Sequence, residues 1–169
     1  FSYMGGIMLS SLIPDHYYRN IFNIDLEQLQ KNNIKGIICD IDNTIVPYKK
    51  RSLKEKVVNW FDTIQDEGFK VCLVSNGMDS RVNFFSKELD IPAIGQAIKP
   101  RKKAYQHAIE ILKLDKPQIV VIGDQIFTDI LGGNRLELET ILVNPMDKNE
   151  FFITRLVRKF EGLVFKRKL

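Results

Sequence analysis

The stretch Gly36-Ile37-Ile38-Cys39-Asp40-Ile41-Asp42-Asn43-Thr44 decides the fold. Its run Ile37-Ile38-Cys39-Asp40-Ile41 reads as a buried strand, because a strand with one wet face would alternate with polar residues. Beyond it the chain is polar and turn-forming. From Leu53 to Asp66 the apolar residues Leu53, Val57, Trp60, Phe61 and Ile64 recur at helical spacing, and Gly68 ends the segment. A buried strand that ends on acids and leads into a helix predicts a parallel sheet, which needs such crossovers.

The alternation continues in both element types. Phe69 to Val74 reads as a second strand, and Ser80 to Leu89 as a helix capped by Asp79 or Ser80. Ala93 to Ala97 is a short third strand. A helix runs from Pro100, a first-turn proline, to Leu112. Gln118 to Ile122 is a strand that ends at Gly123-Asp124, and Thr128 to Leu131 is a short helix stopped by Gly132-Gly133. Glu139 to Val143 is the fifth strand, stopped by Pro145. The expected class is α/β: a three-layer sandwich with a five-stranded parallel sheet and helices on both faces.

The 169 residues fit one domain, and 44% apolar residues suffice for a core. Residues 1–7 read as an expression remnant or a disordered start, with Met4 or Met8 as the natural first residue, and 8–169 as the domain. No apolar run approaches a membrane span. Cys39 and Cys72 each lie in a strand and read as core thiols. They imply neither disulfide nor zinc site, and a reducing, cytoplasmic setting fits them.

In a parallel sheet the ligand site lies outside the carboxyl ends of the strands. Those ends carry the polar residues here: Asp40 and Asp42 on the first strand, Ser75 and Asn76 on the second, Lys99 after the third, Asp124 after the fourth with Asp129 five residues on. Each has an ordinary explanation as a turn or capping residue. Together, in this order, they form a constellation on one rim. His16 and His107 stay outside it.

Phosphate-monoester hydrolysis explains these residue types. It is among the slowest uncatalysed reactions, and a carboxylate nucleophile divides it into two easier steps. A carboxylate approaching an anionic phosphate needs positive charge beside it. Magnesium with oxygen ligands supplies this, Asp40 and Asp124 being the natural carboxylate ligands, and Lys99 adds a point charge. Ser75 and Asn76 can donate to non-bridging phosphate oxygens. Asp40 and Asp42, two apart on a strand, share a face: one attacks, while the other protonates the leaving oxygen and then deprotonates water. Thr44 is expected to orient Asp42, and Asp129 to hold Lys99 or the metal's waters.

The segment Asp40-Ile41-Asp42-Asn43-Thr44 resembles the first motif of the haloacid dehalogenase (HAD) superfamily. Ser75-Asn76, Lys99 and Gly123-Asp124 through Asp129 are similar to its second, third and fourth. Together with Thr128-Asp129-Ile130-Leu131-Gly132-Gly133-Asn134-Arg135, the first motif resembles the YqeG-like branch of subclass IIIA. The resemblance implies a HAD-like Rossmannoid fold, Asp40 as nucleophile, Asp42 as acid/base, and Mg²⁺ on Asp40, Asp124 and the Asp42 carbonyl.

Many members of that superfamily close over metabolites with an inserted cap domain. Thr44 to Val71 and Gly77 to Lys99 are each too short to hold one. An open site is expected, rimmed by Ile45 to Lys49 and suited to a phosphate on something large. A partner subunit closing it would make a homo-oligomer. The branch is related to phosphatidylglycerophosphate phosphatases, which implies a lipid substrate. Protein, nucleic-acid or sugar phosphates, or a scaffold without turnover, are the alternatives.

Residues 151–169 carry Arg155, Arg158, Lys159, Lys166, Arg167 and Lys168 against Glu161, a net +5, so the rest is close to neutral. A helix over about 150–165 would set Phe152, Leu156, Phe160 and Leu163 opposite these bases. It either packs on the sheet or rests on an anionic membrane, with a lipid surface preferred to nucleic acid. The aromatic-rich stretch from Leu12 to Phe22 is a second candidate for such contact. The expected location is the cytoplasm, peripheral to the membrane.

Overall fold

The computed structural model describes residues 3–4 and 7–146. The amphipathic helix and basic tail expected beyond residue 150 lie outside this range. At the start, Tyr3–Met4 pairs antiparallel with Ile7–Met8.

Among the described residues the main sheet has six strands rather than five: β1 (His16–Tyr18), β2 (Gly36–Cys39), β3 (Lys70–Val74), β4 (Ala93–Ile94), β5 (Ile119–Gly123) and β6 (Glu139–Val143). Their spatial order is β1-β6-β5-β2-β3-β4, and every pair is parallel. β2 sits inside, between β5 and β3, with Cys39 opposite both Ile122 and Leu73. Strand contact on both edges and helices on both faces explain its unbroken apolar run.

Among the described residues, five α-helices complete the layers: α1 (Leu26–Lys31), α2 (Glu55–Asp66), α3 (Asp79–Leu89), α4 (Lys102–Leu112) and α5 (Leu131–Asn134). Successive strand residues feed opposite cores, as the period of two requires. Ile37 and Cys39 pack with Val57, Phe61 and Ile64 of α2 and Val82 and Phe85 of α3. Ile38 packs with Ala104, Tyr105 and Ala108 of α4 on the other face. Burying side chains such as Phe61 and Phe85 stabilises the fold by about 1.5–3 kcal/mol each.

The sixth strand is the extra edge. β1 lies against β6, with His16 opposite Ile141. It has no long apolar run, and polar contacts fix it. Tyr17 donates to Asn144 at 2.6 Å, His16 pairs with Glu139 at 2.8 Å, and the Asp15 carboxylate accepts from the Thr140 amide at 2.8 Å. The aromatic stretch considered for membrane contact thus forms the sheet edge.

Three local expectations are corrected. The residue ahead of α3 is Met78, which makes no side-chain cap, while Asp79 is the first helical residue. Pro100 is not in the first turn of α4. It precedes the helix by two residues, in a cis peptide bond with Lys99. Gly132-Gly133 does not stop a helix. A π-helical turn at Ile126–Ile130 runs into α5, which contains both glycines. They are there because α5 approaches its neighbours closely: a methyl at Gly132 would collide with the Tyr105 ring, and one at Gly133 would lie 2.6 Å from Thr140.

Gly132→Ala should therefore lower stability by about 1–3 kcal/mol through overpacking, read as a lower urea midpoint at unchanged slope. An unchanged midpoint would mean that the Tyr105 ring yields freely.

Candidate active site

Because all six strands run the same way, their carboxyl ends form one rim, where the predicted site residues meet. Asp40 follows β2 and Asp124 follows β5, its direct neighbour, so the two carboxylates emerge side by side. Ser75 and Asn76 follow β3 on the other side. Lys99 comes from beyond the edge strand β4. Its loop is drawn back over the sheet where the Lys99 amide donates to Asn76 Oδ1 at 2.7 Å.

The Lys99 ammonium is buried between two acids, 2.5 Å from Asp40 Oδ1 and 2.6 Å from Asp129 Oδ1. Burial alone would lower its pKa. The carboxylates of Asp129 and Asp40 outweigh that and hold it above the ordinary value, so it is a fixed cation. Asp129 reaches it from the π-helical turn, and its other oxygen accepts from the Gln125 amide at 3.1 Å.

One carboxylate oxygen from each of Asp40, Asp124 and Asp129 lies within 4.8 Å of the others. Burial pushes the Asp124 and Asp129 carboxyls above the usual range, and the neighbouring acids push the same way. Thr44 opposes this at Asp124, and Lys99 at Asp129. Three buried carboxylates around a single ammonium leave negative charge uncompensated. The donor set is all hard oxygen, which suits a divalent cation such as magnesium. Both oxygens of Asp129 are taken, by Lys99 and the Gln125 amide, whereas Asp40 Oδ2 and Asp124 meet only the Thr44 hydroxyl, so Asp40 and Asp124 are the carboxylates that could hold such an ion.

Thr44 does not orient Asp42. Its hydroxyl lies 3.1 Å from Asp124 Oδ1 and 3.4 Å from Asp40 Oδ2, linking the acids of adjacent strands. The loop turns at Asn43, held at φ 62 with its amide on the Val46 carbonyl at 2.7 Å, and this turn folds Thr44 back beneath the site. Asp42 is held by a residue that sequence reasoning missed. Arg81 of α3 contacts Asp42 Oδ1 through Nε at 2.9 Å and Nη2 at 2.7 Å. Arg81 also donates to the Lys50 carbonyl at 2.6 Å, tying α3 to the loop after β2. Burial raises the Asp42 pKa, and Arg81 only partly offsets it. The Asp42 side chain is not in the acid cluster.

Ser75 is buried, and its oxygen accepts from the Gly77 amide at 3.0 Å, leaving its O–H to donate. Asn76 uses its carbonyl oxygen on Lys99, leaving its NH₂ to donate. These groups line an open cleft of about 850 Å³ that also takes in Tyr48, Lys49, Arg51, Met78, Arg81 and Phe84. Among the described residues no cap covers it: between β2 and β3 there is a loop and α2, between β3 and β4 there is α3.

The HAD-hydrolase-like family matches residues 97–145, which contain Lys99, Asp124 and Asp129. Over 149 residues the chain is 44% identical to "Probable phosphatase YqeG" of Bacillus subtilis (strain 168), an alignment that takes in 88% of this chain and 87% of that protein. The chain belongs to the YqeG-like branch of the HAD superfamily. It is a HAD-type phosphatase. This YqeG-like chain is also 26% identical over 172 residues to the phosphatidylglycerophosphate phosphatase 1, chloroplastic/mitochondrial, of Arabidopsis thaliana, spanning 92% of itself and 48% of that protein. Its fold is similar to a haloacid dehalogenase-like hydrolase from Brucella suis 1330, with a TM-score of 0.52, 11% identity, and coverage of 73% and 93% of the two chains. An uncharacterized protein from Listeria monocytogenes serotype 4b superposes with a TM-score of 0.55 at 18% identity, over 69% and 84%.

The raised carboxyls set a pH dependence. Asp124 and Asp129 sit above their ordinary 3.8, so above that pH the folded state binds more protons than the unfolded one. Without metal, stability should fall as pH rises through this window. A divalent cation held by the cluster would displace those protons and would bind best where they are already lost. The rise in melting temperature on adding a divalent chloride should therefore be larger at about pH 8 than at about pH 5. Equal rises at both would contradict the assignment of the cluster.

Proposed function

We propose that this phosphatase is a Mg²⁺-dependent phosphomonoesterase working through an aspartyl-phosphate on Asp40, with its substrate's phosphate borne by a large molecule, phosphatidylglycerophosphate being the foremost candidate. The observation that carries this reading is the Lys99 ammonium fixed between Asp40 and Asp129, with Asp124 across from them and Asp42 at the mouth. Asp40 and Asp124 would hold the ion, with the Asp42 carbonyl. Magnesium there would offset the charge that builds on the phosphoryl oxygens.

The protein's own groups supply the rest. Lys99 screens the repulsion between the Asp40 carboxylate and the phosphate dianion. The free Ser75 hydroxyl and Asn76 NH₂ donate to non-bridging oxygens. Asp40 attacks phosphorus, the bond to the leaving oxygen breaks, and Asp42 gives that oxygen its proton. Asp42, now a carboxylate, takes a proton from water as the water attacks phosphorus and releases Asp40. The raised pKa of Asp42 suits an acid that must begin protonated. Arg81 holds only Oδ1, which leaves Oδ2 to face the leaving group.

A lipid-borne phosphate is supported by two observations: the cleft is open, and the Arabidopsis relative is named for that substrate. The test is a panel of phospholipid, nucleotide, sugar and peptide phosphates with magnesium. Phosphatidylglycerophosphate should give the highest kcat/KM, and preference for a soluble sugar phosphate would overturn the lipid assignment.

Release of phosphate from p-nitrophenyl phosphate should need Mg²⁺ and vanish in Asp40→Asn. Wild-type activity in that variant would remove Asp40 as nucleophile. Asp42→Asn should cut turnover by about 10²–10⁴-fold, with Mg²⁺ affinity, measured by calorimetry, largely retained.

A further inference from the structure

Large apolar side chains exposed among the described residues are not scattered. They are Tyr48, Met78, Phe84, Ile98, Phe127 and Met146. Tyr48 follows β2, Met78 follows β3, Ile98 follows β4, Phe127 follows β5 and Met146 follows β6, while Phe84 lines the cleft from α3. One apolar side chain thus stands on the loop after each of these five parallel strands, in a ring around the catalytic mouth. Met78 is 73% exposed and Tyr48 62%. Ile98 is held at φ 52, a conformation that disfavours a β-branched residue, with its side chain outward. Single exposed apolar residues are ordinary; their confinement to one end of the molecule is not.

Charge follows the same polarity. The same end carries exposed Lys49, Lys50 and Arg51 beside Tyr48, and Arg101, Lys102 and Lys103 after Ile98. Among the described residues, the exposed acids there are Asp79, which already accepts from Gln96, and Glu55 in the first turn of α2, which is flanked by exposed Lys54 and Lys56. At the opposite end, where the strands begin, the loops hold Lys31, Lys35, Lys113, Lys116 and Arg135. There they are balanced by Asp66, Glu67, Asp90, Asp115 and Glu137, and among the described residues no large apolar side chain is exposed.

We propose that the catalytic rim is a docking surface for an anionic lipid bilayer. Apolar side chains interleaved with cations match a layer of anionic headgroups over hydrocarbon. Separated residues around an open cleft suit a fluid surface better than a protein partner, which needs a contiguous buried patch. Docked this way, the cleft opens onto the headgroup layer. The inference rests on the reading of the cleft as a phosphatase site, but not on which lipid bears the phosphate. It differs from membrane contact through residues 151–169.

The test is co-sedimentation of the full chain with vesicles of phosphatidylcholine alone, or mixed with phosphatidylglycerol. The protein should pellet with the anionic vesicles, less so at high salt. Lys102→Ser and Lys103→Ser should each weaken binding about fivefold, and Phe127→Ser should weaken it further. Hydrolysis of p-nitrophenyl phosphate should stay within about twofold in all three, which also shows that they fold. Absence of wild-type binding would overturn the proposal. So would unchanged binding in the rim variants, with loss confined to an Arg155→Ser/Arg158→Ser/Lys159→Ser variant. A dimer in solution that the rim variants dissociate would assign the surface to a second copy instead. Binding to vesicles without hydrolysis of phosphatidylglycerophosphate in detergent micelles would sink that substrate and leave the docking surface intact.

Discussion

The site depends on one buried cation. Asp40, Asp124 and Asp129 meet within a few ångströms in a region that strips most of their water, and like charges so placed repel. Lys99 between Asp40 and Asp129 makes the arrangement tolerable. Its own burial would be costly were either acid missing. The ammonium and the carboxylates are therefore mutually required, and the loop bearing Lys99 is pinned to serve them through Asn76.

The scaffold follows from that requirement. No short segment supplies the groups. They arrive from residues 40–44, 75–76, 99 and 124–129, and only a parallel sheet with β2 between β3 and β5 brings those ends together. The apolar run of β2 and the helical faces of α2, α3 and α4 put the strands in that order. Below the rim the molecule is an apolar core; at the rim the polar groups of the site stand together inside a border of exposed apolar side chains such as Tyr48, Met78 and Phe127.

Much of this was legible from residue order alone. Five strands announced themselves as apolar runs, and Asp40, Asp42, Asp124 and Lys99 stood out because each closes a strand or the turn after it. β1 was hidden because three residues at a sheet edge, fixed by His16–Glu139 and Tyr17–Asn144, leave no apolar period to read. Thr44 was assigned the wrong partner because its neighbour in space, Asp124, is 80 residues away, and only the pairing of β2 with β5 brings them together. Arg81 gave little signal: an arginine in a helix's first turn usually faces water, and nothing in its neighbours names Asp42. Gly132-Gly133 read as punctuation because sequence does not say that a tyrosine ring passes there.

Gly123 carries no functional group, yet the electrostatics pass through it. The π-helical turn folds Asp129 back over the end of β5, so that the carboxylate occupies the space a side chain at 123 would fill. The lysine's second counter-ion is thus admitted by a void. Any side chain there would evict Asp129 and leave the ammonium leaning wholly on Asp40. In this chain the absence of a methyl group is as much a part of the charge arrangement as the acids themselves.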